Sequence, residues 1–451
     1  MERRWIVLSK ELMALTLPIM GTQLSQTGMG VVDTIVAGKA SAADLAAIAV
    51  GASIWLPLLL FVSGVMVAVS PRVANAFGAR NPARMQETLQ QGLWLALLIG
   101  ILSMLAMPLF TPPLLNLMSV DPELHASISL YVTYVAFGLP AAAMFQTLRS
   151  YNEAMGLTMP VMLISFLGLF LNIPLNLLFV FGAGPIEAMG GPGCGLATAL
   201  IFMLMLSALA AYTQFAAPHR AIKPLTNIRK PNRAALDILR LGFPIGLAIF
   251  VEVSLFCVVA LFIASLGTVV IASHQIALNV SSVTFMIPLS LALALTVQVG
   301  QNLGRNDPAM ARAAWLNGLR LNLSLALFNA LLLAIGGALI ASWYSNNPEI
   351  VSLAASLMLY AAVYQFSDSA QVAAAGALRG YEDTTITFLL TLVAFWGIGL
   401  PSGYWLGMGM PDPMGAAGFW VGLVIGLTAN ALLLGLRLRF ISRRAMQKHQ
   451  M

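Results

Sequence analysis

The sequence has few charged residues. Only 9% of its 451 residues are Asp, Glu, Lys or Arg, whereas a soluble domain carries about 25%. With 59% hydrophobic residues and a mean hydropathy of +0.87, a chain of this size cannot cover a surface that faces water. The scarcity of charge therefore excludes a soluble enzyme or binding domain and predicts a protein whose surface lies mainly in lipid.

Cysteine is also scarce, and Cys194 and Cys257 both lie in apolar stretches. The sequence contains no CxxC pair and no ligand-spaced cluster of cysteine and histidine, which excludes a disulfide framework or a structural zinc site. The net charge of +6 is spread over short segments without interleaved aromatic residues, so no nucleic-acid partner is indicated. The absence of HExxH and GxSxG argues against a membrane enzyme.

Long apolar runs are what the chain has instead. A transmembrane helix needs about 20 such residues, and suitable runs lie at 12–36, 46–69, 89–112, 126–149, 159–182, 193–216, 238–264, 270–295, 316–340, 351–376, 385–408 and 415–438. They are too long for the alternating strands of a membrane barrel. The sequence therefore predicts an all-α polytopic membrane protein with twelve transmembrane helices.

The distribution of charge supports this count. If the amino terminus is cytoplasmic and the spans alternate, every Lys and Arg except Lys39 falls in a cytoplasmic segment, as the positive-inside rule requires. A single miscounted span would invert the pattern beyond it. We therefore predict that both termini are cytoplasmic. The first apolar run has no cleavage site and is interpreted as an uncleaved helix, not a signal peptide.

The chain contains an internal repeat. The segments SPRVANAFGARNPARM (Ser70–Met85) and TVQVGQNLGRNDPAMA (Thr296–Ala311) align without gaps, and the pairing of Ser70 with Thr296 defines the main register of the repeat. A second alignment joins LRSYNEAMG from Leu148 with LRGYEDTTI from Leu378, and its offset is four residues longer than that of the main register. We interpret the halves as two six-helix lobes related by a pseudo-twofold axis along the membrane normal. Parallel repeats of this kind are a transporter architecture with a site near the midplane.

Four regions follow from this repeat. We predict an amino-terminal six-helix lobe over residues 1–217 and a basic cytoplasmic linker over 218–237. A carboxyl-terminal six-helix lobe then covers residues 238–438, and a basic cytoplasmic tail covers 439–451. The internal repeat also allows a functional monomer.

Three carboxylates, Asp33, Glu252 and Asp368, lie inside the predicted helices. A charged side chain there costs about 2.5–3.5 kcal/mol on insertion scales. Such a group takes up a proton, binds a cation, faces water, or hydrogen-bonds to a neighbouring helix as a neutral structural residue. The first three possibilities favour a transport role and the last favours a structural one.

Further polar residues occupy membrane positions and are candidates for an ion or substrate relay. Thr22, Gln26 and Asp33 fall on one face of the first helix, and Gln365, Asp368 and Gln371 follow one face of the tenth. Asn172 and Asn176 flank Pro174, which frees a backbone carbonyl. The full set of candidates is Gln26, Asn172, Asn176, Thr198, Gln275, Asn279, Gln365 and Gln371. The alternative is that they join helices, and His274 alone is interpreted as structural.

These residues together resemble the multidrug and toxic compound extrusion (MATE) family, most closely its bacterial NorM-like branch. The resemblance covers essentially the whole chain. It depends on VVDTIVAG at Val31–Gly38, the paired segments above, FVEVSLF at Phe250–Phe256 and QFSDSAQVAAAGALRG at Gln365–Gly380. It implies an antiporter that exports varied, often cationic amphipathic compounds while Na⁺ or H⁺ enters.

The resemblance also implies roles for particular residues. The family's coupling carboxylates in helices 1, 7 and 10 match Asp33, Glu252 and Asp368, and a transported Na⁺ is expected at Glu252 and Asp368. Asn172, Asn176 and Thr198 resemble the polar cluster of the amino-terminal lobe. The expected partners are small organic cations, drugs and membrane lipid, the expected location is the bacterial inner membrane, and neither enzymatic activity nor a resident cofactor is expected.

Three other transport classes share some of these features. A lipid or lipid-linked oligosaccharide flippase would line its cavity with Arg and Lys, but no basic residue lies in a predicted helix core. A major-facilitator transporter would carry an Asp-Arg motif after helix 2, where this chain reads SPRVANAFGARNP. An ion channel usually assembles from symmetric subunits. The flippase is the nearest alternative.

Overall fold

The computed structural model describes residues 2–118, 120–219, 222–227 and 229–450, with side chains over 5–449 of these ranges. The described residues form twelve long helices. They are α1 Glu2–Ala40, α2 Ala42–Gly78, α3 Pro82–Leu117, α4 Pro122–Ala154, α5 Thr158–Phe181, α6 Gly191–Phe215, α7 Arg233–Ala264, α8 Thr268–Gly304, α9 Pro308–Tyr344, α10 Pro348–Gly380, α11 Thr385–Gly409 and α12 Ala416–Gln450. Each predicted span coincides with one helix, which confirms the predicted fold class.

Eleven of these helices, all except α1, are long and apolar enough to cross a membrane, judged over the described residues. Helix α1 is 39 residues long, but Thr22, Gln23, Ser25, Gln26 and Thr27 interrupt its apolar sequence. The chain is therefore a multi-pass membrane protein whose first helix carries an unusual number of polar side chains.

The two repeated segments are helix ends and not the loops that the sequence predicts. Helix α2 continues to Gly78, with a break at Ala68 three residues before Pro71, and α8 continues to Gly304 without a break. The chain then turns through a left-handed residue in both halves, Arg80 with φ 52° and Asn306 with φ 56°. A left-handed residue ends a helix because it cannot continue the right-handed backbone.

The next helix is capped in the same way in both halves. Asn81 Oδ1 accepts a hydrogen bond from the Arg84 amide at 3.0 Å, and Asp307 Oδ1 accepts one from the Met310 amide at 2.8 Å. A proline follows each cap at the first helical position, where its missing N–H costs nothing. All of these pairs of residues correspond in the main register, so the two halves share the same turn between helices.

The ends of α4 and α10 correct the second alignment. These helices end at Ala154 and Gly380, a pair that keeps the main register. The amide of Gly156 donates to Glu153 O, and the amide of Glu382 donates to Arg379 O, both at 2.9 Å. Arg379 therefore occupies the position of Glu153, and its alignment with Arg149 is wrong by one helical turn. Similar residue letters one turn apart caused the error.

The chain divides into two compact units. The amino unit consists of Pro18–Gly246, and the carboxyl unit consists of Leu247–Met451 together with Met1–Leu17. Helices α1 and α7 therefore each contribute to both units, and the change occurs beside Pro18 and Pro244. The predicted lobe limits at 217 and 238 stay a prediction.

Each unit has its own apolar core. In the amino unit, Trp55, Tyr131 and Val135 are buried among residues of α1, α2, α3 and α4. In the carboxyl unit, Phe395 and Trp420 are buried among residues of α7 to α12. Close packing of such large side chains fixes the helices that carry the polar sites.

The predicted linker is held against α3 within the amino unit. Side chains on one face of α3 donate to its backbone carbonyls, from Gln90 Nε2 to Thr226 O (2.9 Å), from Gln91 Nε2 to Lys230 O (3.1 Å) and from Trp94 Nε1 to Arg229 O (3.0 Å). Helix α7 begins inside the predicted linker, at Arg233. Arg220, Ala221 and Ile228 lie outside the described residues.

Helices α11 and α12 approach each other along a seam of glycines. The seam consists of Gly399, Gly403 and Gly407 on α11 and Gly418, Gly422 and Gly426 on α12. A Cβ atom on Gly422 would overlap the backbone of Gly403, so only hydrogen fits there, as in small-residue membrane interfaces. On α11, two four-residue steps back from Gly399 lead to Thr391, and on α12 one step forward from Gly426 leads to Asn430. The close approach of the helices brings these two side chains together.

Candidate functional site

The amino unit contains a buried acid with three donors. Asp33 Oδ1 accepts hydrogen bonds from Asn176 Nδ2 at 2.7 Å and Asn172 Nδ2 at 3.1 Å. Asp33 Oδ2 accepts one from Thr198 Oγ1 at 3.0 Å. Asp33 is only 6% exposed. Helices α1, α5 and α6 thus assemble the predicted cluster around one carboxylate, which hydrogen bonds of this kind stabilise in its ionised form.

The asparagines of α5 also supply unused acceptors. Asn172 and Asn176 lie one turn apart on either side of Pro174, so both side chains reach the same carboxylate. Their carboxamide nitrogens face Asp33, and their oxygens are buried without a hydrogen-bond partner in the described part of the chain. Buried acceptors without donors are costly, and here they lie on the side chains that contact Asp33, the acid to which a cation would bind.

Gln26 does not join Asp33. Its Oε1 accepts a hydrogen bond from Arg149 Nη1 at 3.2 Å, and Arg149 Nε donates to Glu153 Oε1 at 2.7 Å. Arg149 is 3% exposed and lies inside α4. The prediction that helix cores hold no basic residue is therefore wrong, because a neighbouring acid and amide compensate the buried charge.

The carboxyl unit joins the other two acids through one amide. Gln371 Nε2 donates to Glu252 Oε1 and to Asp368 Oδ1, each at 3.2 Å. Asp368 is fully buried and Glu252 is half-buried. Helices α7 and α10 thus place two carboxylates on either side of a single nitrogen.

Two further residues, missed by the sequence analysis, orient that amide. Asn430 Nδ2 donates to Gln371 Oε1 at 3.0 Å, and Thr391 Oγ1 donates to Asn430 Oδ1 at 3.3 Å. Asn430 is fully buried in the largely apolar middle of α12. The rule that selected the other polar membrane residues would have found it.

The remaining edge of the acid pair is formed by α10 itself. Tyr364 precedes Asp368 by one turn of α10 and is buried beside it, and Asp368 Oδ2 is buried without a hydrogen-bond partner among the described residues. Gln365 lies away from the pair, because its Nε2 donates to Thr284 Oγ1 at 2.9 Å. Gln365 therefore bonds to α8, whereas Gln371, on the same predicted polar face of α10, bonds to α7 and α12.

The candidates on α8 form none of the hydrogen bonds of the acid pair in their own unit. Gln275 and Asn279 take no part in the hydrogen bonds around Glu252 and Asp368. His274 is fully buried, and its Nδ1 accepts a hydrogen bond from Trp420 Nε1 at 3.2 Å. This contact agrees with a structural role for His274.

The donor set suits a hard monovalent cation or a proton. No group of three His, Cys, Asp or Glu side chains gathers in the described ranges. A Na⁺ at the pair would be held by the oxygens of Glu252 and Asp368, since hard cations prefer oxygen ligands. Arg379 is the basic residue that acts electrostatically on Glu252.

Comparison with known proteins agrees with this architecture. A family model described as MatE matches residues 18–178 and 244–405, two stretches whose first residues, Pro18 and Pro244, correspond in the main register. The chain is 46% identical to "Probable multidrug resistance protein NorM" of Shewanella oneidensis, over 98% of this chain and 96% of that protein. It is 44% identical to multidrug resistance protein PmpM of Pseudomonas aeruginosa, over 98% and 93%.

Solved structures share the fold. A crystal structure of MATE in the bent conformation superposes with a TM-score of 0.90 at 20% identity, over 98% of this chain and 97% of that one. The eukaryotic MATE transporter AtDTX14 gives a TM-score of 0.87 at 20% identity, over 99% and 100%. At this identity the likeness concerns the fold alone.

Proposed function

The chain belongs to the MatE family, and on that premise we propose that it is a multidrug efflux antiporter. It exports cationic and amphipathic organic compounds in exchange for Na⁺, H⁺ or both. The relatives above are named multidrug resistance proteins. The transported cation is a second substrate, and the protein acts as a transporter without enzymatic activity.

The observation that carries this proposal is the bridge from Gln371 to Glu252 and Asp368. Two carboxylates in a helical membrane bundle are costly unless something neutralises them. Among the described residues no salt bridge does so. A cation that replaces the amide hydrogens between the two acids supplies the missing charge, which makes this pair the principal coupling site.

Coupling requires that the cation and the drug favour different states of the protein. A ligand shifts a conformational equilibrium only by its differential affinity for the two states. With the pair empty, Glu252 and Asp368 attract a cationic drug. With Na⁺ or H⁺ bound, the attraction is lost and the drug leaves. Export then follows from entry of the cation down its gradient.

Asp33 forms a second cation site of different character. Its three donors already satisfy the carboxylate, so a cation gains less there than at the carboxyl-unit pair. The unpartnered oxygens of Asn172 and Asn176 offer additional ligands. Asp33 therefore acts beside the principal pair, with Asn172, Asn176 and Thr198 as its relay.

We place the protein in the bacterial inner membrane with both termini in the cytoplasm, as a functional monomer. The positive-inside distribution supports this orientation, since Lys39 is the one basic residue that it leaves outside. The bacterial relatives support the location.

Transport in proteoliposomes tests the proposal. Purified protein of verified orientation is reconstituted, and efflux of ethidium is followed under an imposed Na⁺ gradient and, separately, under a pH gradient. Acceleration by either gradient is expected, and the effective one names the coupling ion. If neither gradient moves a cationic dye, drug antiport is rejected, and lipid flipping becomes the function to assay.

A further inference from the structure

Arg379 is a membrane-helix cation to which the mechanism above gives no role. It lies near the end of α10 and is half-buried. Its Nε donates to Ala375 O at 3.4 Å, one turn earlier in the helix. Its charge acts on Glu252, which Gln371 holds from the preceding turns of the same helix. Arg379 thus follows Gln371 by about two turns on the helix that also carries Asp368.

The repeat shows how unusual this arrangement is. In the amino unit, Arg149 binds both Glu153 and Gln26. In the main register, Glu252 occupies the position of Gln26 and Arg379 occupies that of Glu153. The carboxyl unit thus has an acid in place of an amide and a base in place of an acid.

Arg379 would have an acid of its own if Asp383 were free. Asp383 follows it by four residues, in the turn just beyond the end of α10 at Gly380, and its amide donates to Leu378 O at 3.0 Å. However, Arg437 of α12 holds Asp383 in a bidentate pair, with Nε–Oδ2 at 2.7 Å and Nη2–Oδ1 at 3.1 Å. Among the described residues Arg379 forms no salt bridge. Its charge is therefore left for Glu252.

We propose that Arg379 is the resident counter-charge of Glu252, which competes with the transported cation for that carboxylate, and that the Arg437–Asp383 pair keeps it available. The inference builds on the proposed coupling role of Glu252. Arg379 is a positioning residue that adjusts how tightly the cation is held. A site without this competing charge binds the cation more tightly and releases it more slowly.

Charge rescue at position 379 tests the proposal. In a C194A/C257A background, R379C is expected to lower the driving-cation concentration for half-maximal ethidium efflux by at least about tenfold, because two unit charges at an effective dielectric constant of about 20 still interact that strongly when they are about 12 Å apart. A methanethiosulfonate that adds an ammonium group should restore the original value. Reagents that add a methyl or a sulfonate group should not.

The Arg437–Asp383 ion pair allows an independent test. R437Q releases Asp383 to capture Arg379, so it should lower the half-saturating concentration in the same direction. R437Q/D383N removes the competing acid as well and should return to the original value. R240Q is the matched control, because its exposed partner Asp237 lies 3.9 Å away and such pairs contribute little.

The outcomes separate the two proposals. If the unmodified protein shows no gradient-driven efflux, the proposed function fails and the inference fails with it. If the unmodified and the cysteine-free proteins both pump but R379C leaves the half-saturating concentration unchanged, or all three reagents restore it equally, only the inference is overturned. An R437Q effect that persists in R437Q/D383N would likewise reject the role of the ion pair.

Discussion

Asn430 donates a 3.0 Å hydrogen bond to the side-chain oxygen of Gln371. This bond fixes the direction of the Gln371 carboxamide, because an amide whose oxygen is engaged by Asn430 turns its nitrogen toward Glu252 and Asp368. The opposite orientation would set the amide oxygen against two carboxylates. A single residue on α12 thus determines that the acid pair is bridged by a donor.

Replacing Asn430 should therefore disturb coupling without unfolding the protein. N430A removes one buried hydrogen bond, worth about 1 kcal/mol, and frees Gln371 to rotate. We expect the half-saturating concentration of the driving cation to change about fivefold in dye-efflux assays, as that energy implies. T428A is the control, because Thr428 is exposed on the same helix and bonds Ser367. An equal change in both variants would contradict the role of Asn430.

Asp33 should be sensitive to loss of its charge. D33N keeps the size of the side chain but sets an N–H group against one of its present donors, Asn172, Asn176 or Thr198. We expect D33N to lose stability by roughly 1–3 kcal/mol, measured as thermal unfolding in detergent, and to export dye more slowly.

The control for D33N is D121N. Asp121 caps α4 by accepting from the Glu123 amide, and asparagine caps a helix equally well. D121N should therefore unfold and transport as the unmodified protein does. If D33N matched it on both measurements, Asp33 would be neither a coupling nor an organising residue.

The glycine seam predicts a sharp contrast within α12. G422V forces a side chain into the backbone of Gly403, so α11 and α12 must separate. We expect a marked drop in thermal stability and a weakened contact between Thr391 and Asn430. G435A is the control, because no atom lies within 4 Å of the added methyl group. Alanine there should be neutral or stabilising by up to about 1 kcal/mol.

His219 should make stability depend on pH. It is fully buried in the turn after α6, and its Nε2 lies 3.0 Å from Asn152 Oδ1, to which it must donate. Burial lowers the pKa of His219 from its usual 6.5. The fold favours the neutral ring, so this contribution to stability is present above the unfolded-state pKa and is lost as pH falls through the folded-state pKa.

The measurement is the unfolding temperature of the detergent-solubilised protein between about pH 7 and pH 5, the range of histidine titration. We expect a decrease on acidification that is smaller in H219Q. H125Q, at a half-buried histidine near the start of α4, should retain the whole decrease. An undiminished decrease in H219Q would exclude His219 as its source.

Hydrophobicity and charge predicted the helices and the three acids because membrane burial penalises each misplaced charge separately. The contacts were harder to predict. Gln26 shares a helical face with Asp33, yet it bonds Arg149, because the neighbouring helix decides which polar residue finds a partner.

The sequence predicted only part of the internal repeat. The capped turns at Arg80 and Asn306 match in sequence because their backbone demands particular residues. The ends of α4 and α10 match in structure but not in letters, since helix interiors accept many residues. Asn430 was overlooked although it met the rule used for the others. Its importance depends on Gln371, which only the packing of α12 against α10 reveals.

The most direct test of the central claim reverses the direction of coupling. Proteoliposomes are loaded with a cationic dye, no cation gradient is imposed, and the movement of Na⁺ and of H⁺ is recorded as the dye leaves. The account predicts cation movement opposite to the dye in the unmodified protein and none in E252Q. Dye-driven cation movement of equal size in E252Q would contradict the assignment of coupling to the Glu252–Asp368 pair.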